Sequence, residues 1–309
     1  MDEFQTKMSK QLIIGSRGSA LALIQAEQVK DKLLALDANL SIEIRVIKTE
    51  GDLDQTSKLS ELGGKSVFVK QIEKELVAGT IDIAVHSLKD ITAQLETGTE
   101  LAAFLKPESQ KDCLILAKDK RIDELHELPN DFSIATSSLR RKLLLQSINP
   151  SWTIKDIRGN VDTRLKKIKD GYADAIILSE AGLIRLQKEP LIHLSLNPHA
   201  FVPAPGQGVV AVQVNSSNKK ILKKVSAIND SDQALLSETE LAIVNNIGLD
   251  CNYPLGLFAW TNGSQLFAKA FWGNRDCSKH FSDYQYVHLS YKDELIASLS
   301  KRIKSKLDA

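Results

Sequence analysis

Apolar positions along the chain follow two alternating patterns. Short runs at Gln11–Ile14, Ile81–Val85, Phe132–Ala135 and Ala175–Leu178 read as buried strands, Thr153–Ile157 as another strand, and Ser41–Ile47 alternates like a strand exposed on one side. Between them apolar residues recur at helical spacing: Ala22, Ala26, Val29 and Leu33 behind a capping Ser19; Val69, Ile72 and Leu76; Leu139–Ser147; Val161, Leu165 and Ile168; and a helix beginning at Ala181–Leu186. Strand–helix alternation predicts α/β architecture with largely parallel sheets. The cluster Pro203-Ala204-Pro205-Gly206-Gln207-Gly208 interrupts it ahead of a strand at Val209–Val214 and marks a loop or interdomain crossing. After Asn215 the character changes. Helical stretches at Lys219–Ile228 and Asp232–Asn246 lead to a loop with Cys251. Strands at Leu257–Thr261, Gln265–Phe271 and Tyr286–Ser290 and a last helix striped by Leu295, Leu299, Ile303 and Leu307 complete a small α+β domain.

The 309 residues suit two or three domains, and 43% hydrophobic with 26% charged residues is an ordinary globular balance. Disordered, collagen-like and disulfide-stapled chains are excluded. Forty basic against 39 acidic residues leave a net charge of +1, without the basic excess of a nucleic-acid binder. Three cysteines without ligand spacing argue against a zinc site or disulfide framework. The polar start MDEFQTKMSK lacks the pattern of a secretory signal, and no apolar run approaches the roughly 20 residues of a membrane span, so the expected location is the cytoplasm.

Several strands end in small hydroxyl or glycine residues, then a helix start with arginine at hand: Gly15-Ser16-Arg17-Gly18-Ser19, Thr136-Ser137-Ser138-Leu139-Arg140-Arg141, and Arg158-Gly159-Asn160 with Arg164. Helix N-termini bind anions, and arginine matches a carboxylate bidentately. A Ser or Thr before a helix is in most cases simply a cap. Two arginines in a first helical turn are different, because they oppose the helix dipole and call for an anion to offset them. The phosphate-binding glycine patterns are absent, so nucleotide binding is not supported. Lys89-Asp90 follows a buried strand; its carboxylate either stabilises a developing cation or makes a surface ion pair. His86 reads as a packed or hydrogen-bonded histidine at a strand end, Cys113 as a small core residue, and Cys251 as the one cysteine placed for a reactive thiol.

The segments IIGSRGSALALIQAEQVKDKL, TEGD, LGGKSVFVKQIE, DIAVHSLKD, ATSSLRRKLLL, IRGNVDTRLKK, DAIILSEAGLIRL, PAPGQG and CNYPLG together resemble the hydroxymethylbilane synthase (porphobilinogen deaminase) family, in family order and over most of the first 215 residues. The resemblance implies two doubly wound domains like those of periplasmic solute-binding proteins, with a cleft between them, and a small α+β C-terminal domain. The expected division is 1–105 with 207–226, 106–206, and 227–309. It also implies head-to-tail condensation of four porphobilinogen molecules to linear hydroxymethylbilane with loss of ammonia, on a covalent dipyrromethane cofactor held through a thioether to Cys251. A monomer with this small-molecule substrate, and no nucleic-acid or membrane partner, is expected.

Porphobilinogen carries an acetate and a propionate, which accounts for the anion-binding loops. Arg17, Arg140, Arg141, Arg158, Arg164 and Arg185 match the family positions for carboxylate contact. Lys89, Ser19, Ser87, Ser138 and Gln207 match cofactor or substrate contacts, and Asp90 matches the catalytic carboxylate. Lys65 and Phe68 match a segment thought to cover the cleft. Leu249-Asp250 stands where two small residues are usual, Leu241 where arginine is common, Ser66 where glycine is usual and Thr92 where proline is usual. Two other readings use the same architecture: a two-lobed anion- or solute-binding protein without catalysis, and an inactive paralogue of the synthase.

Overall fold

The computed structural model describes residues 11–47, 66–91, 94–118, 120, 122–248, 253–274 and 276–307. Two five-stranded sheets with helices on both faces form two lobes, and a three-stranded sheet with two long helices forms a third unit. The first lobe contains β1 (Leu12–Ser16), α1 (Ala20–Leu36), β2 (Ile42–Val46), α2 (Ser66–Val77), β3 (Ile83–Ser87) and β4 (Thr99–Leu105). The second contains β5 (Asp112–Leu116), β6 (Ser133–Ala135), α3 (Leu139–Ile148), β7 (Thr153–Lys155), α4 (Val161–Lys169), β8 (Ala175–Ser179), α5 (Glu180–Arg185) and β9 (Leu194–Ser195). The chain then returns to the first lobe with β10 (Val210–Asn215) and α6 (Lys219–Ser226).

Sheet order is β2-β1-β3-β10-β4 in one lobe and β7-β6-β8-β5-β9 in the other. The two orders are the same arrangement. In each, three neighbouring strands are parallel, and the strand that enters from the other lobe, β10 or β5, is inserted antiparallel beside the third. The sheets are therefore mixed, a correction to the expectation of largely parallel pairing. β4 and β5 also went unseen in the hydrophobic pattern, because fully buried runs such as Cys113–Leu116 show no alternation.

Alternate residues of the first sheet serve two cores. Ile14, Ile83 and Val212 pack with Ala26, Val29 and Leu33 of α1 and with Ile221 and Val225 of α6. Ala84 and Ile13 pack with Ile72 and Leu76 of α2. In the second lobe Ile134 and Ile177 meet Leu143 and Leu144 of α3, while Ala135, Ile176 and Leu178 meet Ile168 of α4 and Leu183 of α5.

The C-terminal unit comprises α7 (Ser231–Ile247), β11 (Leu255–Asn262), β12 (Gln265–Gly273), β13 (His280–His288) and α8 (Lys292–Leu307). β13 begins six residues before the strand expected at Tyr286, and residues Leu289–Tyr291 form a 3-10 turn instead of its end. This unit leans on both lobes. Ala234 and Leu241 of α7 pack with Leu88, Phe104 and Val209 of the first, while Phe258 and Phe271 of the sheet pack with Leu143, Phe201 and Val202 of the second.

The second crossing, Val202–Gly208, is held from every side. Arg140 reaches the Val202 carbonyl at 2.8 Å and Arg185 the Gly208 carbonyl at 2.7 Å; Leu257 N–H of β11 donates to Pro203 O at 2.9 Å, and Leu88 N–H to Val209 O at 3.0 Å. Gly208 has φ +84°, and a Cβ there would lie 2.1 Å from the Ser109 carbonyl of the first crossing, so only glycine lets the two strands of the hinge touch.

Candidate active site

The loops at the carboxyl ends of the parallel strands carry nearly all the residues singled out from the sequence. In the first lobe β1 ends in Ser16, and Ser19 caps α1, its Oγ accepting from Ala22 N at 3.3 Å. β3 ends in Ser87, and Leu88–Asp90 turns at once into a 3-10 helix. Arg17, Ser19, Gln25, His86, Ser87 and Asp90 line one cavity of about 90 Å³. Buried Gln25 holds the Ser87 hydroxyl, with Nε2 2.9 Å from Oγ. Lys89 lies half-buried beside Asp90 on the same turn.

His86 forms the inner wall of that cavity, hydrogen-bonded as expected. Its partner Gln213, on β10, donates from Nε2 to Glu73 Oε1 at 2.8 Å and to Thr99 Oγ1 at 2.7 Å. That leaves Gln213 Oε1 turned to His86 Nε2, 3.0 Å away, so the imidazole donates from Nε2. Burial pushes its pKa down to about 4, against the opposing pull of Gln213 and Asp90, and the ring is neutral near pH 7.

The second lobe is built around charge. Ser138 caps α3, accepting from Arg141 N at 3.4 Å, and the two arginines of the first turn point inward. Arg140 Nη1 lies 2.7 Å from Asp112 Oδ2; Arg141 grips Asp112 Oδ1 through Nε at 3.1 Å and Nη2 at 2.7 Å. Gln207 joins them, donating to Asp112 Oδ1 at 3.0 Å and accepting from Arg140 Nη2 at 3.3 Å. Asp112 is fully buried. Burial alone would raise its pKa, but Arg140 and Arg141 outweigh that and hold it at about 2. Asp112 thus supplies within the protein an anion of the kind that the double arginine calls for, and only 4% of Arg140 and 8% of Arg141 is exposed. Arg140 Nε, buried as well, has no partner among the described residues.

Arg158 is exposed and Arg164 half-buried at the start of α4. Asn160 caps α4, its Oδ1 accepting from Thr163 N at 2.9 Å. Arg164 Nε donates to Gly159 O at 2.7 Å, and Arg158 lies 3.3 Å from Asp156. Burial, then Arg141 and Arg158, depress the Arg164 pKa, with Asp156 opposing. Arg141 and Arg158 thus add to the burial that disfavours the charge of Arg164, a cost that an anion beside it would offset.

Arg185 goes elsewhere. At the end of α5 it pairs with Glu108 of the first crossing at 2.6 Å and with the Gly208 carbonyl of the second, so its fork braces the hinge instead of standing with Arg158 and Arg164. Gln28 of α1 also reaches Glu108, at 2.9 Å, which ties both lobes to one carboxylate.

Cys251, with Leu249 and Asp250, lies outside the described residues, as do Lys65 and Thr92; Ser66 lies in α2. Sequence reasoning did not single out Asp112, Glu73, Gln213 or Glu240. Two of these carried a signal: Asp112 is an acid opening an apolar strand, and Glu240 falls on the buried stripe Gln233, Ser237, Ile243, Ile247 of α7.

Residues 12–223 match the profile of the family described as "Porphobilinogen deaminase, dipyromethane cofactor binding domain". Among curated relatives, a porphobilinogen deaminase of Syntrophomonas wolfei is 40% identical over 273 residues, 88% of this chain and 88% of that protein. One from Limosilactobacillus reuteri is 41% identical over 260 residues, 84% of this chain and 85% of its own length. Among solved structures, the methionine binding protein MetQ is similar with a TM-score of 0.41 at 14% identity, over 75% of this chain and 94% of that one.

Proposed function

Because the chain belongs to the porphobilinogen deaminase family, we propose that it condenses four porphobilinogen molecules head to tail into linear hydroxymethylbilane, releasing ammonia, in tetrapyrrole biosynthesis. The observation that carries this reading is the gathering of Asp90, Arg17, Ser19 and Ser87 in one cavity over a neutral histidine. The proposal includes a dipyrromethane joined to Cys251, a monomeric cytoplasmic enzyme, and the division 1–105 with 207–226, 106–206 and 227–309. The net charge of +1 supports the absence of a nucleic-acid partner. Among the described residues no helix is long and apolar enough to cross a membrane.

The residues present suit a polycarboxylate such as dipyrromethane. Arg164 is disfavoured by burial and by Arg141 and Arg158, and it follows the N-terminus of α4, so an anion there would be favoured. When bound, dipyrromethane supplies the free pyrrole carbon to which incoming rings are joined. The protein's own part is to bind and to stabilise charge. Arg158 and Arg164 hold acetate and propionate groups. Arg141 is held in place by Asp112, and Arg140 with Gln207 locks that carboxylate in turn. In the first lobe Arg17, Ser19, Ser87 and Lys89 orient the arriving ring. Asp90 holds negative charge where loss of ammonia leaves the pyrrole electron-poor, the term that contributes most to such reactions. His86 does not protonate near pH 7, so it adds no positive charge that would offset Asp90.

Intact mass is the direct test. Protein purified from cells that make porphobilinogen should be heavier than its sequence by one dipyrromethane. Cys251→Ser should lose that mass and Cys277→Ser keep it, and the loaded protein should consume porphobilinogen to form the bilane. An unmodified protein that binds porphobilinogen without consuming it would instead fit the solute-binding or inactive-paralogue readings.

A further inference from the structure

Glu240 is a buried acid in a place where chemistry at the cleft does not need one. It lies on α7, 2% exposed, and both carboxylate oxygens are taken by backbone donors. Gly206 N–H of the second crossing donates to Oε2 at 2.7 Å, and Ala259 N–H of β11 donates to Oε1 at 2.8 Å. β11 is an edge strand, and its outward groups are covered by this carboxylate and by the crossing itself, where Leu257 N–H meets Pro203 O. Gly206 has φ +67°, and a Cβ there would lie 2.5 Å from the Leu88 side chain, so glycine lets the crossing lie close against the first lobe at this contact. The next residue, Gln207, is locked to Asp112 in the second lobe. One carboxylate therefore joins the C-terminal unit to the strand on which both lobes hinge. Its helix ends at Ile247, with Gly248 in the left-handed conformation, and the sequence runs on from there into Cys251.

We propose that Glu240 is a positioning residue that fixes the helix leading into Cys251 against the hinge, so that a single buried carboxylate sets the placement of the cofactor-bearing unit relative to the two lobes. The link to the cofactor rests on the function proposed above; the joint itself does not. Two N–H donors pull in one direction and the surroundings in the other. On α7 the neighbouring Glu238 is exposed; toward the first lobe Glu240 is flanked by apolar Leu241, Leu88 and Val209; and no charged group of the crossing or of β11 acts on it among the described residues. Burial without a cation raises its pKa to about 7, against the lowering effect of the Gly206 and Ala259 amides. The folded-state value lies above the ordinary 4.5, so the unfolded chain gives up this proton first. The joint's contribution to stability is complete below pH 4.5 and is lost as pH rises through 7.

The test is hydrogen–deuterium exchange on the full chain at pH 6 and pH 8, with urea midpoints at the same pH values, for wild type, Glu240→Gln, Glu240→Ala and Glu238→Gln. Glu240→Gln can satisfy only one of the two donors. It should speed exchange at least tenfold at whichever of Gly206 and Ala259 faces its amide nitrogen and remove the fall in urea midpoint between pH 6 and 8, while Glu238→Gln should match wild type. With porphobilinogen, Glu240→Gln should lower kcat several-fold and leave KM within about twofold, since the lobes that hold substrate are intact. Should Glu240→Ala fail to fold, Glu240→Gln alone decides. Wild-type exchange and pH dependence in Glu240→Gln would overturn the proposal. A wild type that makes no bilane, yet shows the exchange difference, would overturn the function and leave the joint standing.

Discussion

The two lobes share one strand order and one insertion, yet they use it oppositely. In each, the strand arriving from the other lobe places a buried polar side chain in the sheet. On β10 it is Gln213, which fixes a neutral His86 through an amide. On β5 it is Asp112, which fixes two arginines through an ion pair. The first lobe thus keeps the histidine at the inner wall of the cavity that holds Asp90 neutral, while the second concentrates positive charge around Asp112. The same fold supports both because Gln213 and Asp112 are each hydrogen-bonded, and a buried polar group is tolerated when it is paired. The difference agrees with the function proposed above, in which the first lobe performs the chemistry and the second holds carboxylates.

The largest effect should come from removing the anion. Asp112→Ala leaves two buried guanidinium groups uncompensated and should cost about 3–5 kcal/mol in urea unfolding. Arg140→Leu should also destabilise the fold, because the buried guanidinium is bonded to Asp112 and to the Val202 carbonyl. Wild-type stability in Asp112→Ala would break the contrast between the lobes.

Titration of the first lobe comes next. The His86 pKa in the fold, about 4, lies below its ordinary 6.5, so the unfolded chain takes up the proton first. Stability should be lost as pH falls from 6.5 toward 4, by about 3 kcal/mol, and His86→Phe should flatten that stretch of the stability profile. Asp112 is depressed instead, so its contribution stands above pH 3.8 and fades only as pH falls through 2. A denaturation series from pH 7 down to about 1.5 separates the two lobes by the pH at which each gives way.

Gln213→Leu leaves the His86 N–H and the Glu73 carboxylate without their amide partner, and about 1–3 kcal/mol should be lost. The smallest effect on stability belongs to Arg158→Leu. Its exposed pair with Asp156 contributes at most about 1 kcal/mol, so unfolding should barely change. Elongation should nevertheless stall, visible as partly built chains in the intact mass.

Much of this was legible in the sequence, and for physical reasons. Ser19, Ser138 and Asn160 each cap a helix as their position before an apolar stripe implies, because cap chemistry is local. The stripe of Ala26, Val29 and Leu33 is the buried face of α1. What escaped was long-range. Arg140 and Asp112 are 28 residues apart, and nothing near either one announces the other. That β10 and β5 insert antiparallel, and that Arg185 meets Glu108, follows only from the crossings of the chain between the lobes. Residues whose partner lies in the same turn could be read; those whose partner arrives with the fold could not.

The central claim is that a single carboxylate of the first lobe performs the chemistry. Asp90→Asn keeps size and hydrogen bonding and removes the charge. After the dipyrromethane adduct has been confirmed by mass, single-turnover kinetics with porphobilinogen should show a rate lower by orders of magnitude, on the scale of the several kcal/mol that such an electrostatic term contributes, with substrate binding changed far less. Asp90→Glu should retain part of the activity. An Asp90→Asn protein that forms the bilane at close to the wild-type rate would contradict the account.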